Sequence, residues 1–313
     1  MTAVLALLLL AVDAPHEVQS VKVRILSTML ADGVGFGEWG FAALVEADGH
    51  RILFDTGAHP DTVLRNLAAL KIDIHDIEEV ILSHHHLDHT AGLVTLRQSL
   101  AAANPKALST AYVGQGIFYP RLGGGNPMAK AKAAYEAAGG RVVELNAPRE
   151  LHPGIWLTGP VPRKYPERNW SGSGRLRLPD GQESEDNLPE DQTLVIETAK
   201  GLVIVAGCSH AGIVNILDFA RTKIRPGARR QAPIHAAIGG FHLFAASEET
   251  LAWTAGKLKE FGLQNLLGAH CTGIEAVYRL RELMGLTRKT AAVGALGGGF
   301  NLATGLDAGT IAR

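Results

Sequence analysis

The chain has 313 residues and a formal net charge of -1, with 46% hydrophobic and 19% charged residues. This composition is typical of a globular protein that buries a large core, and its balanced charge gives no electrostatic basis for binding nucleic acid or anionic lipid. Length alone allows one large domain or two. We favour a single domain over residues 19–313.

The N-terminal segment, residues 1–18, is apolar from Ala3 to Val12 and resembles a signal peptide, with Val12-Asp13-Ala14 as a cleavage site. The apolar run is too short to span a membrane, so we expect no stable membrane anchor. No Lys or Arg precedes it, and Pro15 would follow the cut. A periplasmic or exported protein, and a cytoplasmic one with a disordered arm, are therefore both left open.

From residue 21 onwards, short β-rich runs alternate with stretches of helical periodicity. The first half predicts strands at 21–27, 41–46, 51–55, 77–82, 111–113 and 141–145, with helices at 61–70, 91–103 and 129–138. The second half predicts strands at 192–198, 202–206, 234–238 and 265–267, with helices at 212–221, 247–261 and 273–284. Each half opens with paired strands and ends in β/α units. The sequence therefore predicts an α/β fold of two facing sheets with helices outside, an αββα sandwich.

Residues 159–191 interrupt this order with repeated Pro, Gly and Ser. A long irregular segment inside a compact domain is usually functional or disordered. Its cations and aromatics suit a loop that covers an anionic or cyclic ligand, and a solvated surface loop is the alternative. These residues are Arg163, Lys164, Tyr165, Arg168 and Trp170. The glycine runs at 123–125 and 297–299 lack the context of a nucleotide-binding motif, so we interpret them as turns.

The densest group of metal-binding side chains directly follows the strand predicted at 77–82. Four candidate ligands lie within six residues there: His84, His86, Asp88 and His89. Imidazole and carboxylate suit zinc, iron or manganese, and two neighbouring cations would need such a cluster plus ligands from elsewhere. We expect two divalent transition-metal ions, with zinc preferred. His85 should point away from its neighbours in an extended backbone, so we do not count it as a ligand.

The pattern His-x-His-x-Asp-His after a strand, preceded by Leu53-Phe54-Asp55-Thr56-Gly57, resembles the signature of the metallo-β-lactamase superfamily. The segments GCSHAG at 207–212, GGFHL at 239–243 and GAHCTG at 268–273 resemble one branch of it. That branch contains the archaeal 7,8-dihydropterin-6-methyl-4-(β-D-ribofuranosyl)aminobenzene-5'-phosphate synthases. The resemblance covers most of the chain, from about Val21 to about Leu296.

The resemblance implies roles for individual residues. His84 and His86 would share one metal, while Asp88 and His89 would face the second, which His270 would complete. Asp55 would brace the histidine loop through hydrogen bonds without touching metal, and a turn-forming role is the alternative for it.

The sequence departs from the superfamily pattern where Gly207-Cys208 replaces Gly-Asp and the isolated histidine of the middle motif is missing. We favour His210 as the replacement ligand, and leave Cys208 as either a bridging thiolate or a small buried residue. Asp191 is either a further ligand or a solvated acid at a strand end. His242, after two glycines, is assigned to substrate or outer-sphere contact.

The chain has two cysteines, Cys208 and Cys271. They cannot form a disulfide framework, but they could form one bridge if the fold brought them together, and two buried thiols are the alternative.

Three functions follow as hypotheses, and the first two require a small-molecule substrate. The first is a hydrolase in which a metal-bound water attacks an ester, lactone or phosphoester, with Asp88 as the catalytic carboxylate. The second is implied by the resemblance, a transferase that joins a dihydropterin methylene to an arylamine ribose phosphate. The third is a non-catalytic metal-binding or redox module, although the chain has no electron-carrier motif.

Overall fold

The structure is a computed structural model, and it describes residues 16–31, 33–169, 174–224 and 232–311. The signal-like run and Trp170 lie outside these ranges, so the expectations placed on them stay untested. Among the described residues, no helix has the length and apolar character needed to cross a membrane.

The described strands are short and alternate with helices along most of the chain. In chain order they are β1 (Val21–Ser27), β2 (Ala42–Ala47), β3 (His50–Phe54), β4 (Glu79–Leu82), β5 (Thr110–Gly114), β6 (Arg141–Leu145), β7 (Arg149–His152), β8 (Ile155–Leu157), β9 (Arg175–Arg177), β10 (Glu183–Glu185), β11 (Thr193–Thr198), β12 (Gly201–Ala206), β13 (Ile234–Gly239), β14 (Asn265–Gly268), β15 (Ala291–Val293), β16 (Gly299–Asn301) and β17 (Gly305–Asp307).

The helices of the described residues are α1 (Thr62–Leu70), α2 (Leu87–Thr90), α3 (Leu93–Ala101), α4 (Pro127–Ala137), α5 (Ile213–Phe219), α6 (Glu248–Glu260) and α7 (Ile274–Met284). A π-helical turn at Ala220–Ile224 extends α5, and a 3-10 turn at His270–Thr272 precedes α7.

Two large sheets contain most of these strands. The first has the order β17-β16-β1-β2-β3-β4-β5-β6, and the second has the order β15-β14-β13-β12-β11-β8-β7. One buried cluster draws Phe54 from the first sheet and Val205 from the second, so the main core lies between the sheets. Two further clusters pack α1, α3 and α4 on one outer face and α5, α6 and α7 on the other. The predicted αββα sandwich is confirmed.

The parallel strands bring the candidate site together at one edge of the sandwich. β3 and β4 are parallel in the first sheet, and β12, β13 and β14 are parallel in the second. Loops after the carboxyl ends of parallel strands are where open α/β sheets place their ligand sites. The residues that follow these five strands include Asp55, His84, Cys208, His242 and His270.

The C-terminal glycine run is an exception to the turn interpretation, because Gly299 begins β16, which pairs with β1. A side chain at Gly299 would collide with the carbonyl oxygen of Val23, so only glycine allows the strands to approach this closely. The other irregular stretch, residues 159–191, contains the β9-β10 hairpin.

Candidate metal centre

Asp55, which is fully buried, holds the histidine loop, residues 84–89, in position. Its Oδ1 accepts a hydrogen bond from the backbone N–H of Ser83 at 2.7 Å, and its Oδ2 accepts one from Ser83 Oγ at 2.7 Å. His89 Nδ1 lies 2.7 Å from the same Oδ2. A carboxylate on one imidazole nitrogen fixes the orientation of the ring and leaves the other nitrogen for a metal. Here that nitrogen, His89 Nε2, lies 3.1 Å from Cys208 Sγ.

Three groups of donor atoms could each hold a cation, because the atoms in each group lie within 4.8 Å of one another. The groups are His84 with Cys208 and His210, His89 with Cys208 and His270, and His84 with Asp88 and His89. The first two groups have the Cys208 sulfur in common. These two groups are therefore candidate cation positions that share one sulfur atom.

The chemistry of these donors fits metal ions. Within the described residues, the Nε2 atoms of His84 and His210 are buried and have no hydrogen-bond partner. The Nδ1 of His210 is bound to the backbone carbonyl of Asn169, so its Nε2 is the free nitrogen. Burial lowers the pKa of both imidazoles well below the usual value, which keeps them neutral. Neutral imidazole is the form that binds metal, and a cation would satisfy both buried nitrogens.

Asp88 lines the opening of this site, since its side chain is 22% exposed whereas those of His89 and His270 are fully buried. Burial by itself raises the pKa of Asp88, but the adjacent imidazole of His270 and the other nearby imidazoles outweigh it and lower the pKa. Burial lowers the pKa of His270, but Cys271 and Asp88 outweigh it and raise the pKa to about 9. In the absence of a cation, Asp88 Oδ2 and His270 Nε2 are therefore an ion pair, 3.3 Å apart.

His86 and His85 have different surroundings from the other histidines of the loop. His86 belongs to none of the three donor groups, although its ring centroid lies 4.7 Å from that of His84 and 5.0 Å from that of His210. His85 Nδ1 lies 2.7 Å from an oxygen of the buried Glu190. The Arg121 guanidinium donates to both oxygens of Glu190 at 2.9 Å. Sequence reasoning missed Glu190 and Arg121, because no local spacing connects them with the histidine loop.

Asp191 and Arg163 support the loop that carries His210. Asp191 Oδ2 accepts a hydrogen bond from the backbone N–H of Ala211 at 2.8 Å, and Asp191 belongs to none of the three donor groups. Burial raises its pKa to about 7. Arg163 donates to the carbonyl of His210 at 3.2 Å. Arg163 also donates to the backbone carbonyl of Asn187, so it joins the His210 loop to the irregular segment.

A cavity of about 650 Å³ opens beside the site, next to His242. It is lined by Arg168, which is bound to Glu185 at 2.6 Å, and by Phe244 and Trp253 among others. Of the other cations and aromatics singled out with Arg168, Lys164 pairs with Asp218 and Tyr165 packs against Trp253.

Aromatic rings form a continuous arc from one donor group to the other. The ring centroids lie 5.0 Å apart for His270 and Trp39, 5.5 Å for Trp39 and Phe244, 5.3 Å for Phe244 and His242, and 4.7 Å for His242 and His210. Trp39 and Phe244 are each about half exposed, 49% and 52%. The arc therefore presents apolar ring surface next to the donor groups. Neither Trp39 nor Phe244 has a sequence motif that would have identified it.

Four residues at this edge have left-handed backbone conformations that residues other than glycine rarely adopt. The φ angles are 58° for Asp55, 57° for Ser209, 48° for His242 and 46° for His270. Such conformations cost about 1–3 kcal/mol each and concentrate at functional sites, where the surrounding structure enforces them.

Comparison with known proteins identifies the family of this chain. A family model described as metallo-beta-lactamase superfamily matches residues 40–159. The chain is 31% identical over 276 residues to a 7,8-dihydropterin-6-methyl-4-(beta-D-ribofuranosyl)-aminobenzene-5'-phosphate synthase of Methanocaldococcus jannaschii, covering 83% of this chain and 90% of that protein.

The fold is similar to that of solved structures. Tm1679, described as a metal-dependent hydrolase of the beta-lactamase superfamily, is 26% identical with a TM-score of 0.69, covering 90% of this chain and 98% of that one. Zn(2+)-bound PqqB from Methylobacterium extorquens is 18% identical with a TM-score of 0.53, covering 90% of this chain and 100% of that one, and shows the fold alone. The chain belongs to the metallo-β-lactamase superfamily.

Proposed function

We propose that the chain is a metal-dependent hydrolase that cleaves an ester, lactone or phosphoester bond of a small molecule. The observation that carries the proposal is the pair of donor groups that share the Cys208 sulfur, since this pair suits two neighbouring cations. Two bound cations would polarise a substrate oxygen and lower the pKa of a water molecule. The description of the similar protein Tm1679 as a metal-dependent hydrolase supports the same reaction class.

The burial of each residue indicates its role in the proposed reaction. The buried donors would hold the cations, and they are His84, His89, His210, His270 and Cys208. Asp88 reaches the opening and would both hold a cation and accept the proton of the attacking water. A thiolate among imidazoles favours zinc or iron over manganese, and we propose zinc.

Zinc-loaded protein tests this proposal with a panel of esters, lactones and phosphodiesters in ¹⁸O-labelled water. We expect one class to be cleaved with incorporation of the label. Asp88→Asn should lower turnover by about 100-fold or more, because it removes the carboxylate that accepts the proton. His85→Ala is the matched control from the same loop, because His85 is bound to Glu190 and belongs to none of the donor groups. Equal turnover by Asp88→Asn and the wild type would contradict the proposal.

A transferase is the second candidate, and two observations favour it. The similar protein of Methanocaldococcus jannaschii is named as a synthase. The arc containing Trp39 and Phe244 and the cavity of about 650 Å³ beside His242 offer ring surface and space for a second substrate. A transferase should release no product until an acceptor such as an arylamine ribose phosphate is added with a dihydropterin. Product formation with water alone would exclude this candidate.

A further inference from the structure

The side chains of the two cysteines lie next to each other in the candidate metal centre. Cys271 Sγ lies 3.1 Å from Cys208 Sγ, and both residues are buried. Cys208 follows β12 and Cys271 follows β14, with β13 between these two strands. Gly240 follows β13, and a Cβ at this position would lie 2.8 Å from Cys271 Sγ. The missing side chain at Gly240 therefore leaves the space in which the two sulfur atoms approach each other.

We propose that Cys208 and Cys271 are a redox modification site that forms a reversible disulfide when the metal-free protein meets a peroxide. A bridge would remove the Cys208 sulfur from both donor groups in which it takes part. The oxidised chain would then be unable to assemble the two-cation centre. The inference concerns regulation of the site in the proposed function and rests on that proposal, whereas formation of the bridge depends only on the two sulfur atoms.

The reaction needs only a peroxide in addition to the two thiols. One cysteine sulfur attacks a peroxide oxygen, the O–O bond breaks, and a sulfenic acid and water form from hydrogen peroxide. The second sulfur then attacks the sulfenic sulfur, an S–S bond forms, and the hydroxyl leaves as a second water with the remaining thiol proton. Each sulfur is oxidised while the peroxide is reduced. A dithiol reductant reverses the step by thiol–disulfide exchange.

The surroundings of the pair decide when this reaction occurs. A disulfide bond is about 2.05 Å long, so closing it requires an approach of roughly 1 Å from the observed separation. The side chain of Asp88 is 22% exposed, so this is the side of the site from which we expect a small peroxide to enter. Cations held by Cys208 would occupy its sulfur and keep it from bonding to Cys271. Bound metal therefore protects the thiols, and loss of metal exposes them to oxidation.

The test treats zinc-free and zinc-loaded wild-type protein with hydrogen peroxide and follows free thiols, intact mass and zinc uptake. The chain has two cysteines, so an intramolecular disulfide has one possible assignment. We expect the zinc-free protein to lose both thiols and the mass of two hydrogen atoms. It should recover the full uptake of about two zinc equivalents only after treatment with dithiothreitol. The zinc-loaded protein should keep both thiols under the same conditions.

Cys271→Ser is the matched control, because it keeps Cys208 and removes its partner. It should take up zinc like the wild type, but under peroxide it should gain oxygen atoms on Cys208 and form no bridge. Retention of both thiols by zinc-free wild-type protein would overturn the proposal. Unchanged zinc uptake by the bridged protein would also overturn it. These measurements do not require catalytic turnover. If the hydrolase assay fails but the disulfide forms in zinc-free protein and not in zinc-loaded protein, the proposed reaction is rejected and the proposed disulfide is kept.

Discussion

At Cys208, a single sulfur atom lies between the two candidate cation positions. The sequence favours His210 as the ligand that compensates for the missing residues and gives Cys208 the smaller part. Both residues belong to the donor group of His84, Cys208 and His210. Cys208, but not His210, also belongs to the group of His89, Cys208 and His270. The geometry therefore supports a larger part for Cys208 than the sequence suggested.

The first prediction follows from this position. Cys208→Ala should lower bound zinc from about two to about one equivalent per chain, because both cations lose a shared ligand. Cys208→Asp should keep both equivalents, since a carboxylate can also bridge two cations. Elemental analysis after dialysis measures the difference. Two equivalents in Cys208→Ala would restore the preference for His210, in which case His210→Ala should be the variant that loses zinc.

At the scale of elements, the irregular segment is attached to the helix that follows the His210 loop. Glu167 accepts hydrogen bonds from the backbone N–H groups of Val214 at 3.1 Å and Asn215 at 2.8 Å, at the start of α5. A side chain at Gly212 would collide with the Glu167 carboxylate, so the close contact depends on glycine. Segment and helix are therefore one packed unit beside the site.

The second prediction concerns the pH dependence of this unit. Burial raises the pKa of Glu167 from 4.5 to about 7, although its hydrogen bonds oppose the shift. A carboxyl group with a raised folded-state pKa contributes stability that is complete below its unfolded pKa and is lost as the pH rises through the folded one. We expect the contribution of Glu167 to the free energy of unfolding of metal-free protein to fall between about pH 4.5 and pH 7. The contributions of the buried His84 and His210 have the opposite sign, because their pKa values are lowered. The slope from Glu167 is at most about 1.4 kcal/mol per pH unit.

Urea denaturation at a series of pH values measures this slope. Asp191 contributes with the same sign, because its pKa is also raised to about 7 by burial. Relative to the wild type, the free energy of unfolding of Glu167→Gln should therefore fall less, or rise more, with increasing pH over this window, whatever the effect on absolute stability. An identical slope in Glu167→Gln would show that Glu167 titrates as in the unfolded chain.

For the whole molecule, the donor groups exist only when the two sheets are packed together. Cys208 and His270 follow strands of one sheet, whereas His84 and His89 follow a strand of the other, so folding brings the four side chains together. The third prediction is that zinc raises the thermal unfolding temperature by several degrees. At a free zinc concentration one thousand times the Kd, the folded state gains about 4 kcal/mol.

Differential scanning fluorimetry of zinc-free protein, with and without zinc, measures this shift, and a chelator should reverse it. Magnesium is the matched control, because it prefers oxygen ligands and should shift the unfolding temperature little. An unchanged unfolding temperature with zinc, in protein that is folded at the start, would contradict the metal centre.

The sequence by itself determined most of the elements and the part of the candidate site that is local in the chain. β1 and β6 have the predicted bounds, because periodicity is a local property of the chain. β16 and β17 were missed, because three-residue strands have too little pattern of their own and exist by pairing beside β1, far away in the sequence. The histidine run was identified because its ligands are neighbours along the chain.

The tertiary structure alone decided the positions of Glu190 and Cys271 relative to the candidate ligands, whereas His210 and His270 were proposed from the sequence. His85 meets Glu190 across 105 residues, and Cys208 meets Cys271 across 63 residues. No spacing rule predicts these contacts, because they depend on the order of strands in the sheets and on the small side chains between them. The order β14-β13-β12, with glycine at position 240, brings the two sulfur atoms together, and the packing of the two sheets places them beneath the histidine run.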